Sequence, residues 1–484
     1  KAGTYKLVEV QAPKGYLKSA PIEFTVDQNT EYVDLPVIGY TTTQTIGNHP
    51  TQIEVIKLSE NTGQPVSGAT LQLIHKESRK LIQEWISDDE PIRFKGLEIG
   101  ESYIVKEVYA PSGYLLAEPL EFTVQETNEL QSIVVLNELE PEIKTKAFYE
   151  SGNKESQVSE SMTVIDRVTY KNLIVGKEYT LKGTLLTTDT QDIIAKNEVS
   201  FIPKSPDGSI DITFTFDGST LLGKELVVFE DLYRGTRQVA THNDITDQDQ
   251  TVNIPSIGTQ VSLKKLDPLN PSHLSLTDVV SYRQLSIDQT YRVKGWIMDK
   301  QTGLPLLVDN QEIHSELFFT PPSKSGTLEM MFNLDLSTLS KGDYVIFEEI
   351  YLGNELIAEH KDINDKNQTF SLVEVIVHKV DSKNNQSLGG AEFTLFDENN
   401  QPLTQRTTDE QGLARFLVPT GTYTLEETQS PKGYRLDNTK HSLELIGKEV
   451  DHEIKFVIKN EEIPELPNTG VSSLNPLFLY GLLG

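Results

Sequence analysis

Short runs in which apolar and polar residues alternate recur along the whole chain: IEVIKL (53–58), YTLKGTLL (179–186), YRVKGWI (291–297), VEVIVHKVD (373–381) and HEIKFVI (452–458). A period of two places every second side chain on one face of a strand, whereas the 3.6-residue period of an amphipathic helix is almost absent. Clusters of Gly, Pro, Asn and Asp separate the runs and supply turns. The pattern predicts an all-β chain of small sandwiches rather than a parallel sheet with crossover helices. At 484 residues, the chain is too long for one core and is expected to divide into about three to five domains.

Internal repeats supply the divisions. One unit opens with a Lys on an alternating strand (Lys57, Lys379), continues through Gly-Ala (Gly68-Ala69, Gly390-Ala391), and ends with a Glu ahead of Pro-x-Gly-Tyr and a strand carrying Asn. Those late elements are Glu107, Pro111 to Tyr114 and Asn137 in one copy, and Glu427, Pro431 to Tyr434 and Asn460 in the other. Residues 1–45 read as the tail of a third copy, with Glu9 before Pro13 to Tyr16; its opening Lys is expected upstream, and no closing Asn is evident. A second unit occurs twice in the middle. Asp166, Val168, Tyr170 and Leu173 match Asp278, Val280, Tyr282 and Leu285, and YTLKG matches YRVKG without gaps. Each copy starts with a strand Thr (Thr145, Thr259), later carries VVFE or VIFE ending at Glu230 or Glu348, and closes on H-x-D-x-x-D-x-x-Q. That last motif is His242, Asp244, Asp247, Gln250 in one copy and His360, Asp362, Asp365, Gln368 in the other.

Composition narrows the chemistry. A net charge of −29 argues against nucleic acid, whose binding rests on clustered Lys and Arg. Without any cysteine, neither disulfides nor thiolate-metal sites can staple these small domains. The apolar fraction of 37% suits small cores. The first residues, KAGTYKLVEV, carry no initiator Met or signal segment, so the chain reads as part of a longer precursor.

The first unit resembles the SpaA-type (Cna B-type, prealbumin-like) domains of Gram-positive pilins and adhesins, and the second resembles the VaFE repeat, or ester-bond domain, of the same surface proteins. The resemblance implies tandem Ig-like or prealbumin-like β-sandwiches in an elongated rod: 1–45, 50–139 and 372–462 of the first kind, 140–254 and 255–371 of the second. In the first family a Lys on the first strand joins an Asn on the last through an isopeptide bond promoted by a Glu. Carried over by motif, the triads are Lys57, Glu107, Asn137 and Lys379, Glu427, Asn460, with Glu9 as the acid of the partial copy. The residue types suit the reaction: burial lowers a Lys pKa to free its amine and raises a Glu pKa to keep it neutral. Neutral Lys attacks the amide carbon while Glu polarises the carbonyl and shuttles a proton.

In ester-bond domains a Thr hydroxyl attacks a Gln side chain, which implies links from Thr145 to Gln250 and from Thr259 to Gln368. A hydroxyl is a weak nucleophile and needs a base or a polarised target. The motif assigns proton handling to His242 with Asp247 and His360 with Asp365, and support to Glu230 and Glu348. Val261 stands where the first copy has Ala147. Two other readings of the acidic motif are metal loops, but NDITDQDQ lacks the central Gly and terminal Glu of an EF-hand, and one His beside carboxylates is poor zinc spacing. A solvated acidic loop leaves the fixed His-to-Gln offset unexplained. No metal or cofactor is expected. Closing loops of roughly 80 to 110 residues contributes about 4 to 5 kcal/mol per link in the chain-entropy model.

Residues Leu466, Pro467, Asn468, Thr469 and Gly470 spell LPNTG after an acidic linker and before LNPLFLYGLLG. This resembles the LPxTG sorting signal, which implies sortase as a partner, cleavage after Thr469 and covalent attachment of that residue to peptidoglycan. The apolar tail is shorter than that family expects. The expected function is a structural stalk of a secreted, cell-wall-anchored surface protein, an adhesin or accessory pilin, and not an enzyme. An alternative is a module that itself binds a host matrix protein or glycan, for which an exposed apolar patch is the signature. No pilin motif such as Tyr-Pro-Lys is present.

Overall fold

In the computed structural model, which describes residues 1–26, 47–267, 270–448 and 450–464, the elements are strands joined by turns, with 3-10 turns at Leu336–Thr338 and Val450–His452. The all-β reading holds. Two compact units emerge, one comprising Lys1–Lys154, Glu160–Asp217 and Glu225–Val252, the other Glu155–Ser159, Gly218–Lys224 and the described residues from Asn253 onward.

In the first unit, strand Gln52–Ser59 lies between Ile92–Lys95, antiparallel to it, and Gln131–Asn137, parallel to it. A second sheet runs Leu81–Ile86, Thr70–His75, Ser102–Tyr109, Leu120–Thr123. Ile53, Val55, Leu71, Leu73, Tyr103, Val105 and Val135 fill the space between them. Burial of each large apolar side chain contributes about 1.5–3 kcal/mol. Lys57 occupies the next inward position after Ile53 and Val55, while Ile56 and Leu58 take the more exposed face. The alternation of IEVIKL therefore puts a lysine into the core, against the ordinary preference of that residue for water.

The following sandwich pairs Glu142–Tyr149, Met162–Lys171 and Gly208–Phe216 in one sheet. Ile193–Phe201, Tyr179–Thr187, Glu225–Arg234 and Arg237–His242 form the other. The Gly of YTLKG is a packing requirement: a Cβ on Gly183 would lie 2.5 Å from the tip of the Phe214 ring and 3.0 Å from Ile212.

In the second unit, Ser256–Asp267, Asn270–Arg283 and Gly326–Asp335 repeat the three-stranded sheet. Tyr291–Asp299 pairs with His314–Phe319 and Gly342–Leu352. One 13-residue strand, Thr369–Asp381, then serves two sandwiches. Its first residues pair with Gly342–Leu352, its middle with Leu413–Pro419, and its second half, in parallel, with Glu453–Asn460. Pro402–Thr407, Glu392–Phe396, Gly421–Gln429 and His441–Leu445 make the covering sheet. Buried residues of both sandwiches form one connected apolar cluster.

Gly183→Ala is expected to destabilise its sandwich by about 1–3 kcal/mol, read as a lower calorimetric transition temperature. Gly295→Ala, where the nearest atom is Phe332 at 3.0 Å and the next belong to the flexible Met330 side chain, is expected to cost less.

Candidate cross-linking sites

Each Lys–Glu–Asn set converges inside a sandwich. Because the first and last strands run parallel, Lys57 pairs with Val135 and Ser59 with Asn137, so Lys and Asn project from the same face one step apart. The same offset holds Lys379 against Ile458 and Asp381 against Asn460. The Glu arrives from the facing sheet, Glu107 on Ser102–Tyr109 and Glu427 on Gly421–Gln429. Lys57 Nζ lies 3.4 Å from Glu107 Oε1, and Lys379 Nζ lies 3.2 Å from Glu427 Oε2. Asn137 Nδ2 donates to Glu107 Oε2 at 3.0 Å and to the Leu115 carbonyl at 2.7 Å. Asn460 Nδ2 donates to Glu427 Oε1 at 2.8 Å. All six residues are at most 5% exposed.

Burial pushes the Lys57 amine down to about 8 even with Glu107 beside it, and it also lowers that of Lys379. Desolvation penalises the ammonium form and so frees the lone pair needed for attack. The Asn137 and Asn460 carbonyl oxygens have no hydrogen-bond partner. An amine, a carboxyl group and a carboxamide are thus held within reach of one another in a dry pocket, a geometry suited to acyl transfer.

A tight turn aligns the acceptor strand. In Pro-x-Gly-Tyr the Tyr114 and Tyr434 amides donate to the Pro111 and Pro431 carbonyls at 3.2 and 3.0 Å. Gly113 and Gly433 have φ of 83° and 90°, which other residues adopt only with strain. After the turn, Leu115 and Arg435 donate to the carbonyls of Glu138 and Glu461, the residues that follow the two asparagines.

The Thr–Gln sets are arranged alike in both middle sandwiches. Thr145 and Thr259 are buried on the first strands, with the Thr145 hydroxyl within hydrogen-bonding reach of the Asp166 carboxyl and that of Thr259 within reach of Glu348. Gln250 Nε2 donates to Glu230 Oε2 at 2.8 Å and to the His242 carbonyl at 2.9 Å. Gln368 Nε2 donates to Glu348 Oε2 at 2.7 Å and to the His360 carbonyl at 3.3 Å. The imidazoles turn to the aspartates, with His242 Nε2 3.3 Å from Asp247 and His360 Nε2 3.1 Å from Asp365. Each His therefore contributes its main chain to the Gln as well as a side chain to the rim. The register is fixed by Ala147 and Val261, whose amides donate to the carbonyls just before each Gln, Asp249 and Asn367. Ala and Val serve equally there because the backbone makes the contact.

Two residues of these sites were not singled out as such from the sequence, Asp166 and Asp278. Both are fully buried, Asp166 within side-chain hydrogen-bonding reach of Glu230 and Thr145, and Asp278 of Glu348. Burial, and then the neighbouring Asp charge, hold the carboxyls of Glu230 and Glu348 well above the usual range; Asp166 is raised mainly by burial. Adjacent carboxyl groups in a dry site cannot both ionise, so each pair retains a proton. The available signal was position: Asp166 falls on the inward row Met162, Val164, Val168, Tyr170 of its strand.

Glu9 also has an amide partner. Asn48 Nδ2 lies 3.0 and 3.1 Å from its two carboxylate oxygens. Leu466 to Gly470 lie outside the described residues. Among the described residues, no helix is long and apolar enough to cross a membrane.

Residues 141–254 and 255–372 match the family described as the T-Q ester bond containing domain, and residues 1–37, 51–139 and 373–462 match the SpaA prealbumin-like fold domain. The chain is a tandem of these two kinds of domain. Solved structures similar to it include BcpA, the major pilin subunit of Bacillus cereus, at 15% identity over 85% of this chain and 99% of that one, with a TM-score of 0.21. The Bacillus anthracis TIE protein shares 16% identity over 95% of this chain and 61% of its own, with a TM-score of 0.21. A Mobiluncus mulieris adhesin containing intramolecular disulfide, isopeptide and ester bond cross-links shares 13% identity over 44% of this chain and 100% of its own, with a TM-score of 0.22. No curated protein matches the chain.

In this T-Q and SpaA tandem the buried carboxyl pairs give a pH signature. Burial pushes Asp278 up to about 6. A carboxyl raised in the folded state binds its proton more tightly there, so its stabilising contribution is complete at low pH and is lost as pH rises through about 6. Thr259→Val removes the hydroxyl while keeping the pair. Its unfolding free energy, from urea titrations followed by Trp296 fluorescence in a Trp85→Phe background, is expected to fall between about pH 4 and about pH 6, by on the order of 3 kcal/mol. Adding Asp278→Asn is expected to reduce that fall without abolishing it, because burial also holds the Glu348 carboxyl above its usual range.

Proposed function

We propose that this chain is the stalk of a sortase-anchored Gram-positive surface protein, an adhesin or accessory pilin, stiffened by two Lys–Asn isopeptide and two Thr–Gln ester bonds. The observation that carries the reading is that nucleophile, acid and carboxamide converge in the same buried geometry in both complete copies of each kind of domain. Solvated strand residues have no reason to do so.

In the isopeptide sites, neutral Lys57 or Lys379 attacks Cγ of Asn137 or Asn460. The Nζ–Cγ bond forms, the Cγ–Nδ2 bond breaks, and ammonia leaves after Glu107 or Glu427 passes it the proton lost by the amine. In the ester sites the Thr145 or Thr259 oxygen attacks Cδ of Gln250 or Gln368, and the Nε2 group departs as ammonia with the hydroxyl proton. The protonated carboxyl pair, Asp166 with Glu230 or Asp278 with Glu348, polarises and protonates the amide, while His242 and His360 hold the Gln through their carbonyls. Each event happens once, so the groups act as assembly chemistry and not as a catalyst with turnover. LPNTG supplies the attachment: sortase cleaves after Thr469 and joins it to peptidoglycan.

The intact mass of the purified chain is expected to fall below that calculated from its sequence by about 17 Da per bond, four times over. Lys57→Ala, Lys379→Ala, Thr145→Ala and Thr259→Ala are each expected to restore one such increment. An unchanged mass in folded protein sinks the reading. Under force applied at the two ends, the cross-linked chain is expected to show no unfolding step from the interior of a linked domain. Thr259→Ala is expected to release the roughly 110 residues up to Gln368 as a step on the order of 350 Å.

A further inference from the structure

We propose that Asn48 is the acceptor of a third isopeptide bond, made with the side-chain amine of a lysine on the strand that completes the first SpaA-like domain, with Glu9 as the promoting acid. The inference rests on the isopeptide reading of the other two copies and extends it to a residue beyond the matched segment 1–37.

Register carries the argument. The turn Pro13 to Tyr16 repeats the geometry of its counterparts: the Tyr16 amide donates to the Pro13 carbonyl at 3.0 Å, and Gly15 has a φ of 78°. Beyond the turn, three main-chain contacts fix the returning strand. Tyr16 bridges to Pro50 as Tyr114 does to Leu139 and Tyr434 to Glu462. The amide of Leu17 donates to the His49 carbonyl, as Leu115 does to Glu138 and Arg435 to Glu461. The carbonyl of Gly15 accepts from Thr51, as Gly113 does from Glu140 and Gly433 from Ile463. In the two complete copies the residue two before the bridge and one before the accepting carbonyl is the acceptor asparagine. In the first domain that residue is Asn48.

The side chains agree with the backbone. Glu9 accepts from the amide ten residues on, Ser19 at 2.7 Å, as Glu107 does from Ala117 at 2.5 Å and Glu427 from Asp437 at 2.8 Å. Its carboxylate also takes the Asn48 amide, as Glu107 and Glu427 take Asn137 and Asn460. What differs is cover. Glu9 is partly exposed, and donation by Asn48 and Ser19 holds its carboxyl below the usual range. No described lysine forms an ion pair with Glu9, and the stretch 27–46 contains no lysine. The reaction therefore waits for a strand that brings the amine and excludes water. It balances as in the other copies: Nζ–Cγ forms, Cγ–Nδ2 breaks, and ammonia leaves with the proton relayed by Glu9.

The test is a proteolytic digest of the protein as its cell makes it, sequenced by tandem mass spectrometry. The peptide bearing Asn48 is expected to be branched to a lysine peptide with loss of about 17 Da, and Glu9→Ala is expected to leave it linear. Recovery of Asn48 as a linear peptide with its amide intact, while those of Asn137 and Asn460 are branched, overturns this inference alone. If all three are linear, the isopeptide reading falls with it.

Discussion

A carboxyl group on the inward face of a strand has to be neutralised or matched, because leaving it ionised in an apolar core costs more than such a small sandwich can tolerate. Every complete domain of this chain buries at least one: Glu107, Glu427, or a pair such as Asp166 with Glu230 and Asp278 with Glu348. The surrounding structure answers that constraint. The parallel first and last strands bring Lys and Asn to the carboxyl from one side, and the facing sheet supplies it from the other. A core that would be poor as a hydrophobic core becomes a place where an amine gives up its proton more readily and lies with a carboxamide against one carboxyl group. Misfit in stability terms and fitness for acyl transfer have the same cause. Once a bond forms, the buried Lys charge no longer exists and the penalty is removed permanently.

If the four proposed bonds form, tension follows a short route through the chain. It crosses each domain at the link and runs through main chain only between links: from Asn137 to Thr145, from Gln250 to Thr259 and from Gln368 to Lys379. Two of these stretches are visibly braced. Between Asn137 and Thr145, Glu138 is buried, bonded to Arg234 at 2.8 Å and to the Tyr179 hydroxyl at 3.1 Å. Leu139 donates to Asn61, and Asn172 donates to the Glu140 carbonyl. Between Gln368 and Lys379 the chain is a single strand, Thr369–Asp381, paired along its whole length and on both sides from Glu374 to His378. Pulling along such a strand shears many hydrogen bonds together instead of peeling them singly. Two of the three segments that the proposed bonds leave unprotected thus have dense side-chain or ladder support.

Much of this was legible in the sequence because both signals are periodic. Alternation in IEVIKL or VEVIVHKVD identifies strands and reveals that a Lys falls on the apolar row. Recurrence of Lys, Glu and Asn in order, and of Thr, Glu, His and Gln in order, identifies residues that the fold brings within hydrogen-bond distance. Asp166 and Asp278 escaped although their recurrence was visible, since a matched Asp on a strand gives no indication by itself of what faces it across the sandwich. Asn48 escaped for a different reason. The stretch IGNHPT carries no strand alternation, and only the backbone pairing around Pro13 to Tyr16 equates it with the strand ends at Asn137 and Asn460.

The absence of cysteine then has a physical reading. A disulfide requires two residues of one kind and an oxidant, and it is reversible by thiol exchange. The amide and ester links need three or more groups aligned inside a nearly finished fold, and ammonia leaves as they form. Alignment depends on the turn, the parallel register and the buried acid all being in place, so the bond can close only in a correctly folded domain. On the proposed reading, folding proofreads the cross-link, and the cross-link would then hold the domain folded under load.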